Sequence, residues 1–172
     1  AIDAPSKEGE ERSALAIGGA VPEPGGIVPD VRQEARALGF GEGNGQVRFL
    51  GRIEEEDKPL LMAAARIFVY PSAYEGFGLD PLEAMSLGTP VVSSSGGSLR
   101  EVVGDGGLLV PPDDEKAFAQ AIRQAWRDEA LRRDLSARGR IQAARFTWER
   151  TARETTRAYG MALGDGVRGV RE

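Results

Sequence analysis

The residues with chemistry to offer are concentrated between Tyr70 and Met85, in the run YPSAYEGFGLDPLEAM. Two glutamates, Glu75 and Glu83, stand eight positions apart with Gly76 and Gly78 between them. Ile67-Phe68-Val69-Tyr70 is a short apolar run of strand formers that ends at Pro71. After the glycines, Asp80 is suited to cap a helix and Pro81 to occupy its first position, and Gly88-Thr89-Pro90 ends it. The reading is therefore strand, glycine loop, helix, with Glu75 in the loop and Glu83 about one turn into the helix. Glycine lets the backbone approach a ligand closely. The N–H groups of Gly76 and Gly78, with those opening the helix, would make an anion site just past the carboxyl end of a strand. Carboxylates accept from sugar hydroxyls and backbone N–H groups donate to phosphate. Both chemistries together suit a nucleotide sugar.

The remaining elements are those needed to position this corner. Residues 1–13 are polar and read as a loop or frayed end. Ala14-Leu15-Ala16-Ile17 is a strand, and Gly18-Gly19 a tight turn, since no phosphate-loop pattern follows it. Residues 21–29 are irregular. A helix from Pro29-Asp30 to about Leu38 is expected to bury Val31, Ala35 and Leu38. Residues 39–45 are a glycine-rich connection, and Val47-Arg48-Phe49-Leu50 is the second strand. Gly51-Arg52-Ile53 turns into a helix headed by Glu54-Glu55-Glu56, with Leu60, Leu61 and Ala64 as core residues. The acidic run reads as compensation of the helix dipole rather than a metal site. Val91-Val92-Ser93 is a fourth strand, followed by Ser94-Ser95-Gly96-Gly97 and a short helix, Leu99 to Val103, with Ser98 as cap. The serine hydroxyls either meet a ligand or satisfy the turn. Leu108-Leu109-Val110 is a fifth strand, and Pro111-Pro112-Asp113 caps a helix from Glu115 to about Arg127. That helix has a stripe of Phe118, Ala121, Ile122 and Ala125. Two more helices follow, from about Glu129 to Ala144 and from Thr147 toward Leu163, with Trp148 read as a packing anchor.

This alternation predicts an α/β fold, a Rossmann-like parallel sheet with helices on both faces. Such sheets bind ligands beyond the carboxyl ends of their strands, where strand order reverses. The expected domain runs over 14–163, after a polar segment 1–13 and before a tail 164–172. A chain of 172 residues is large enough for a single core, and a net charge of −5 gives no general attraction to nucleic acid or anionic membrane. The chain has no cysteine and no histidine, which excludes disulfides, thiol catalysis, Ser-His triads and His-ligated metals. No apolar run is long enough to span a bilayer and no signal-peptide pattern opens the chain, so the expected location is cytoplasmic.

Glu75-Gly76-Phe77-Gly78-Leu79 through Glu83-Ala84-Met85, then Gly88-Thr89-Pro90-Val91-Val92, resembles the E-x7-E signature of retaining glycosyltransferases. The likeness is to the carboxy-terminal, donor-binding domain of the group 1 enzymes, one half of a GT-B fold. Val47 to Arg52, Gly96-Gly97, Glu101-Val102-Val103, Gly107 to Pro112 and Phe146-Thr147-Trp148 stand in the expected order. The match runs from about Ala14 to Tyr159.

The resemblance implies transfer of a hexose from a nucleoside diphosphate sugar, with retention and without a metal or other cofactor. It makes Glu75 the candidate catalytic residue, holding hydroxyls of the transferred sugar; loop capping is the plainer role. It makes Glu83 an acceptor for the ribose hydroxyls, where the plainer role is a helix-face carboxylate paired with a surface base. It has Phe77, Gly78 and Leu79 offer amides to the diphosphate or the sugar, with Gly76 also a ligand-binding residue; a hydrophobic plug is the plainer role of the Phe77 ring, and both roles can hold together. Arg52 and Ile53 fall where the family meets the nucleobase, although Arg52 equally suits a solvated turn cation. The family's Arg and Lys clamp on the diphosphate is not matched by Lys7 and Arg12. With the acceptor-binding amino-terminal domain also absent, the expectation is a fragment, inactive alone, whose last helix is left exposed or covered by self-association. A noncatalytic nucleotide-sugar-binding module and a GT-B sugar-nucleotide epimerase or phosphorylase are the alternatives. A pyridoxal phosphorylase is disfavoured because Lys58 and Lys116 fall on polar faces.

Overall fold

A computed structural model describes residues 14–19, 30–40 and 47–163. Expectations for residues 1–13, 21–29, 41–45 and 164–172, including Lys7 and Arg12, lie outside the described residues. The chain forms two compact units that meet in sequence between Leu61 and Met62.

In the first unit, β1 (Leu15–Gly18) pairs in parallel with β2 (Val47–Gly51), Leu15 opposite Val47, with a register shift before Gly18. Between them in sequence lies α1 (Val31–Ala37), capped by the Asp30 carboxylate, which accepts from the Arg32 amide at 2.9 Å. The expectation that α1 buries Val31 and Leu38 is not met: they are 40% and 70% exposed. Seven residues make only two turns, and the contact α1 makes instead is polar-aromatic, the Arg32 guanidinium 5.6 Å from the centre of the Phe49 ring.

The helix α2 (Lys58–Ala64) starts later than expected, after a turn closed by the Asp57 and Lys58 amides on the Glu54 carbonyl. Its core residue is Met62, whereas Leu60, Leu61 and Ala64 are exposed. Three consecutive large apolar residues on so short a helix leave its inward face undetermined by spacing.

The second unit is built on β3 (Phe68–Tyr70), β4 (Val91–Ser94) and β5 (Leu108–Val110), parallel and adjacent in that order. The strands thus form two parallel sheets among the described residues, and within the larger one the order does not reverse. Period-two alternation assigns its side chains to two layers. On one face Phe68, Val91 and Leu109 pack with Met62, Met85 of α3 (Leu79–Leu87), Val103 of α4 (Leu99–Val103) and Ala143 of α6 (Glu129–Ala143). On the other, Val69, Val92 and Val110 pack with Phe118, Ala121 and Ala125 of α5 (Glu115–Arg127), as the apolar stripe predicts. Helices therefore cover both faces. Val91, Val92, Met85, Leu99 and Leu135 are fully buried, each contributing about 1.5–3 kcal/mol of transfer free energy. β3 is only half-buried rather than enclosed.

Polar ties fix the helix ends. Gly88 closes α3 in the left-handed region (φ 83°), and Arg140 donates to the Leu87 carbonyl at 2.8 Å. Gln142 of α6 donates to the Glu101 and Val102 carbonyls of α4. The cap of α5 is Asp114, one residue beyond the expected Asp113, accepting from the Ala117 amide.

Buried Thr89 donates its hydroxyl to the Met62 carbonyl at 2.8 Å, tying the end of α2 to the start of β4. Thr89→Val keeps the shape and removes the donor, so it should lower stability by about 1 kcal/mol in urea denaturation. No loss would mean that the carbonyl is satisfied without it.

The last helix, α7 (Trp148–Ala162), is capped by Thr147 as expected, but none of its residues is buried. Trp148 is 79% exposed and is not the packing anchor anticipated for it; Tyr159, Met161 and Leu163 are exposed as well. Among the described residues no helix is long and apolar enough to cross a membrane.

Candidate functional site

Two connections leave the carboxyl ends of adjacent parallel strands, 71–78 after β3 and 95–98 after β4, and they are bound to one another. The Ser98 amide donates to the Glu75 carbonyl at 3.1 Å. The Ser98 hydroxyl lies 3.0 Å from that carbonyl and 2.7 Å from the carbonyl of Phe77. Buried Ser94 donates its hydroxyl to the Ser72 carbonyl. Of the two roles open to Ser94 and Ser98, the structure displays the turn-satisfying one. Ser98 occupies the cap position of α4, but its side chain makes no capping bond there. The fit leaves no room for larger residues: a Cβ on Gly96 would lie 2.0 Å from the Ala73 carbonyl oxygen.

Out of this scaffold rises the corner that opens α3. The cap residue is Gly78, in the left-handed region at φ 98°, and not Asp80, which sits in the first turn. Such a φ is open to glycine and costly for other residues. A Cβ at Gly78 would also meet Leu99 Cδ2 at 2.5 Å. The expectation of an Asp80 cap followed by Pro81 fails because Leu79 and Asp80 already have helical geometry, which pushes the cap back to the glycine. Glycine has no side chain to fold over the helix start, so the α3 N-terminus is left without a side-chain cap. Among the described residues no acceptor receives the amides of Gly76, Phe77, Gly78 or Leu79. Unpaired donors at the positive end of a helix dipole are able to receive an anion.

Two carboxylates border these amides. Glu75 is half-buried, and one of its oxygens, Oε1, accepts from Tyr70 Oη at 2.9 Å and from Ser72 Oγ at 2.7 Å. The loop-capping role is therefore real. Its other oxygen, Oε2, accepts from none of the described residues. Glu83 is half-buried on α3, four residues after Leu79 and so on the same helical face, away from buried Pro81, Ala84 and Met85. Phe77 is 44% exposed, with its ring edge-on to Phe146 at 5.8 Å between centroids. Leu79 is 51% exposed.

Six of the eight sequence-derived candidates, Glu75, Gly76, Phe77, Gly78, Leu79 and Glu83, thus share one corner of the second unit. Arg52 and Ile53 belong to the first unit. There Arg52 is exposed after β2, and Ile53 fills the space over Gly18, where a Cβ would approach its Cδ1 to 2.3 Å. Two surface grooves, of about 610 and 340 Å³, are lined by residues such as Arg123, Arg127, Arg132 and Arg133, and include none of the corner residues. Size alone is a poor guide here, because an array of free amides on an open corner needs no cavity to bind an anion. Tyr70, Ser72, Ser94 and Ser98, which position the corner, were not singled out as such from the sequence. Their roles depend on how two loops meet, and only the serine-glycine composition after β4 hinted at them.

Residues 26–142 match the family described as Glycosyl transferases group 1. Over 119 residues the chain is 51% identical to the O-antigen chain mannosyltransferase B of Escherichia coli, a match covering 69% of this chain and 31% of that protein. Among solved structures, sucrose-phosphate synthase from Thermosynechococcus elongatus superposes with a TM-score of 0.72 at 33% identity, over 87% of this chain and 38% of that one. Anabaena Alr3699/HepE, in complex with UDP, superposes with a TM-score of 0.73 at 26% identity, over 87% of this chain and 41% of that one. The chain thus spans about a third of the length of such relatives. With the parallel α/β architecture and a family match across the corner and both of its supporting loops, the chain belongs to the group 1 glycosyl transferases.

Proposed function

We propose that this chain is the donor-binding half of a retaining, metal-independent glycosyltransferase that takes a hexose from a nucleoside diphosphate sugar. The observation that carries the reading is the uncapped α3 N-terminus, with amides free to receive a diphosphate between two acidic side chains. The UDP bound by the similar Anabaena protein supports a nucleotide ligand of this kind. In this reading the amides of Phe77, Gly78 and Leu79 hold diphosphate oxygens, and Gly76 allows close approach. Glu83 accepts from the ribose hydroxyls, and Glu75 from hydroxyls of the sugar. Arg52 and Ile53 have base recognition through their backbone groups as their proposed role.

During transfer the bond between the anomeric carbon and the phosphate oxygen breaks, and the acceptor oxygen bonds to that carbon on the same face. The acceptor proton passes to the departing phosphate. Negative charge grows on the leaving diphosphate, and preorganised N–H donors stabilise it most where it develops. With this charge held by amides, Glu75 and Glu83 serve as ligand acceptors, not as the acid and nucleophile of a glycosidase. Because this chain corresponds to about a third of its relatives, its expected behaviour alone is weak donor binding without turnover.

The test is calorimetric titration with UDP-, GDP- and ADP-sugars, with and without excess EDTA. The expected result is binding of one nucleotide class with an affinity that EDTA does not change. Loss of binding in EDTA would refute metal independence. Failure of every donor at millimolar concentration would refute the function.

A further inference from the structure

The two hydrogen bonds on Glu75 do not fall on the carboxylate at random: Tyr70 Oη and Ser72 Oγ both reach the same oxygen, Oε1. A carboxylate oxygen has about two lone-pair directions, so Oε1 is filled by the protein. Each of the two donors is itself held. The Tyr70 ring stacks on Phe68, with centroids 6.1 Å apart and planes 18° from parallel. The Ser72 main chain is fixed through its carbonyl by Ser94, which is fully buried at the end of β4. A relay of contacts therefore runs from the sheet, through Ser94 and Ser72 on one side and Tyr70 on the other, to one oxygen of a loop side chain.

We propose that Tyr70 and Ser72 are positioning residues for recognition of the transferred sugar: by occupying Oε1 they lock the Glu75 side chain and leave Oε2 as its only acceptor for a sugar hydroxyl. This rests on the donor-binding reading above and narrows it. A glutamate free to rotate accepts from hydroxyls in many arrangements, whereas one locked at Oε1 accepts through one oxygen in one place. The lock thus acts on the sugar and not on the nucleotide, whose diphosphate meets the amides of the corner. It also selects among sugars by where their hydroxyls lie.

The measurement is the sugar increment: the ratio of dissociation constants for a nucleoside diphosphate and for its hexose conjugate. UDP with UDP-glucose, GDP with GDP-mannose and ADP with ADP-glucose are titrated into the full chain. Tyr70→Phe keeps the stacked ring, and Ser72→Ala removes only a hydroxyl. The double variant is expected to bind the nucleoside diphosphate as the parent does and to lose about tenfold in affinity for the conjugate, with Ser72→Thr restoring the part due to Ser72. A merely structural role would weaken both ligands alike or lower only the melting temperature, and either result overturns the proposal, as does an unchanged increment. If the parent chain binds none of the three pairs, the donor-binding reading falls and this one with it. If it binds but its sugar increment ignores the hydroxyls, only the positioning role falls.

Discussion

Replacing Glu83 with alanine should weaken nucleotide-sugar binding by about 10- to 100-fold, the cost of removing a charged acceptor from two ligand hydroxyls. Glu83 is half-buried on the same α3 face as Leu79, one turn after the uncapped amides. The buried face of α3 is carried by Pro81, Ala84 and Met85, so the substitution should shift the thermal midpoint little. A 2′-deoxy donor separates a ribose contact from a general effect of charge. If Glu83 holds the ribose, the parent chain should lose affinity on removal of the 2′-hydroxyl, while Glu83→Ala should lose much less. The two changes would then be strongly non-additive. Full additivity would mean that Glu83 acts elsewhere, and unaltered affinity would remove it from the site.

Much of this could be read from residue order, for reasons that differ between elements. The helix α5 follows the predicted span because Phe118, Ala121, Ile122 and Ala125 repeat at helical spacing over 13 residues. A long amphipathic stripe has one way to face a sheet. The αL termination at Gly88 was equally legible, since the residue type is what the conformation demands. Leu60, Leu61 and Ala64 were misassigned because seven residues of helix give almost no periodicity to read, and Met62 takes the core position. The choice of Gly78 over Asp80 as the α3 cap was hidden for another reason. Both sequence rules were satisfied locally, but the helix already includes Leu79 and Asp80, which moves the cap back to Gly78. Strand alternation predicts parallel pairing but not partners, so a single sheet was expected where β1 and β2 pair separately from β3, β4 and β5. In the site, the types and spacing of Glu75, Gly76, Gly78 and Glu83 announced the chemistry. The clamp of Tyr70 and Ser72 on one oxygen of Glu75 depends on a loop conformation that the β4 connection imposes, and spacings of five and three residues carry no such information.

That dependence has a direct consequence for Gly96, where alanine should cost about 1–3 kcal/mol of stability and abolish detectable donor binding. The new methyl would be enclosed by main chain, 2.0 Å from the Ala73 carbonyl oxygen and 2.9 Å from its carbon. Neither group is the flexible end of a side chain, so relief requires the two connections to separate. Separation breaks the bonds from Ser98 to the Glu75 and Phe77 carbonyls and removes the support under Gly78. Gly76→Ala is the matched comparison. It adds the same methyl only two residues before Gly78, yet nothing lies within 4 Å of that Cβ and the backbone is not left-handed. Gly76→Ala should therefore fold with nearly parental stability, and any loss of donor affinity would report the ligand's own need for space. If Gly96→Ala proved as stable as Gly76→Ala and bound donor normally, the contact between the two connections would be dispensable. The corner would then owe its shape to the 71–78 segment alone. The opposite pattern, with Gly96→Ala defective in both respects and Gly76→Ala in binding only, would place the support beneath the corner and the ligand above it.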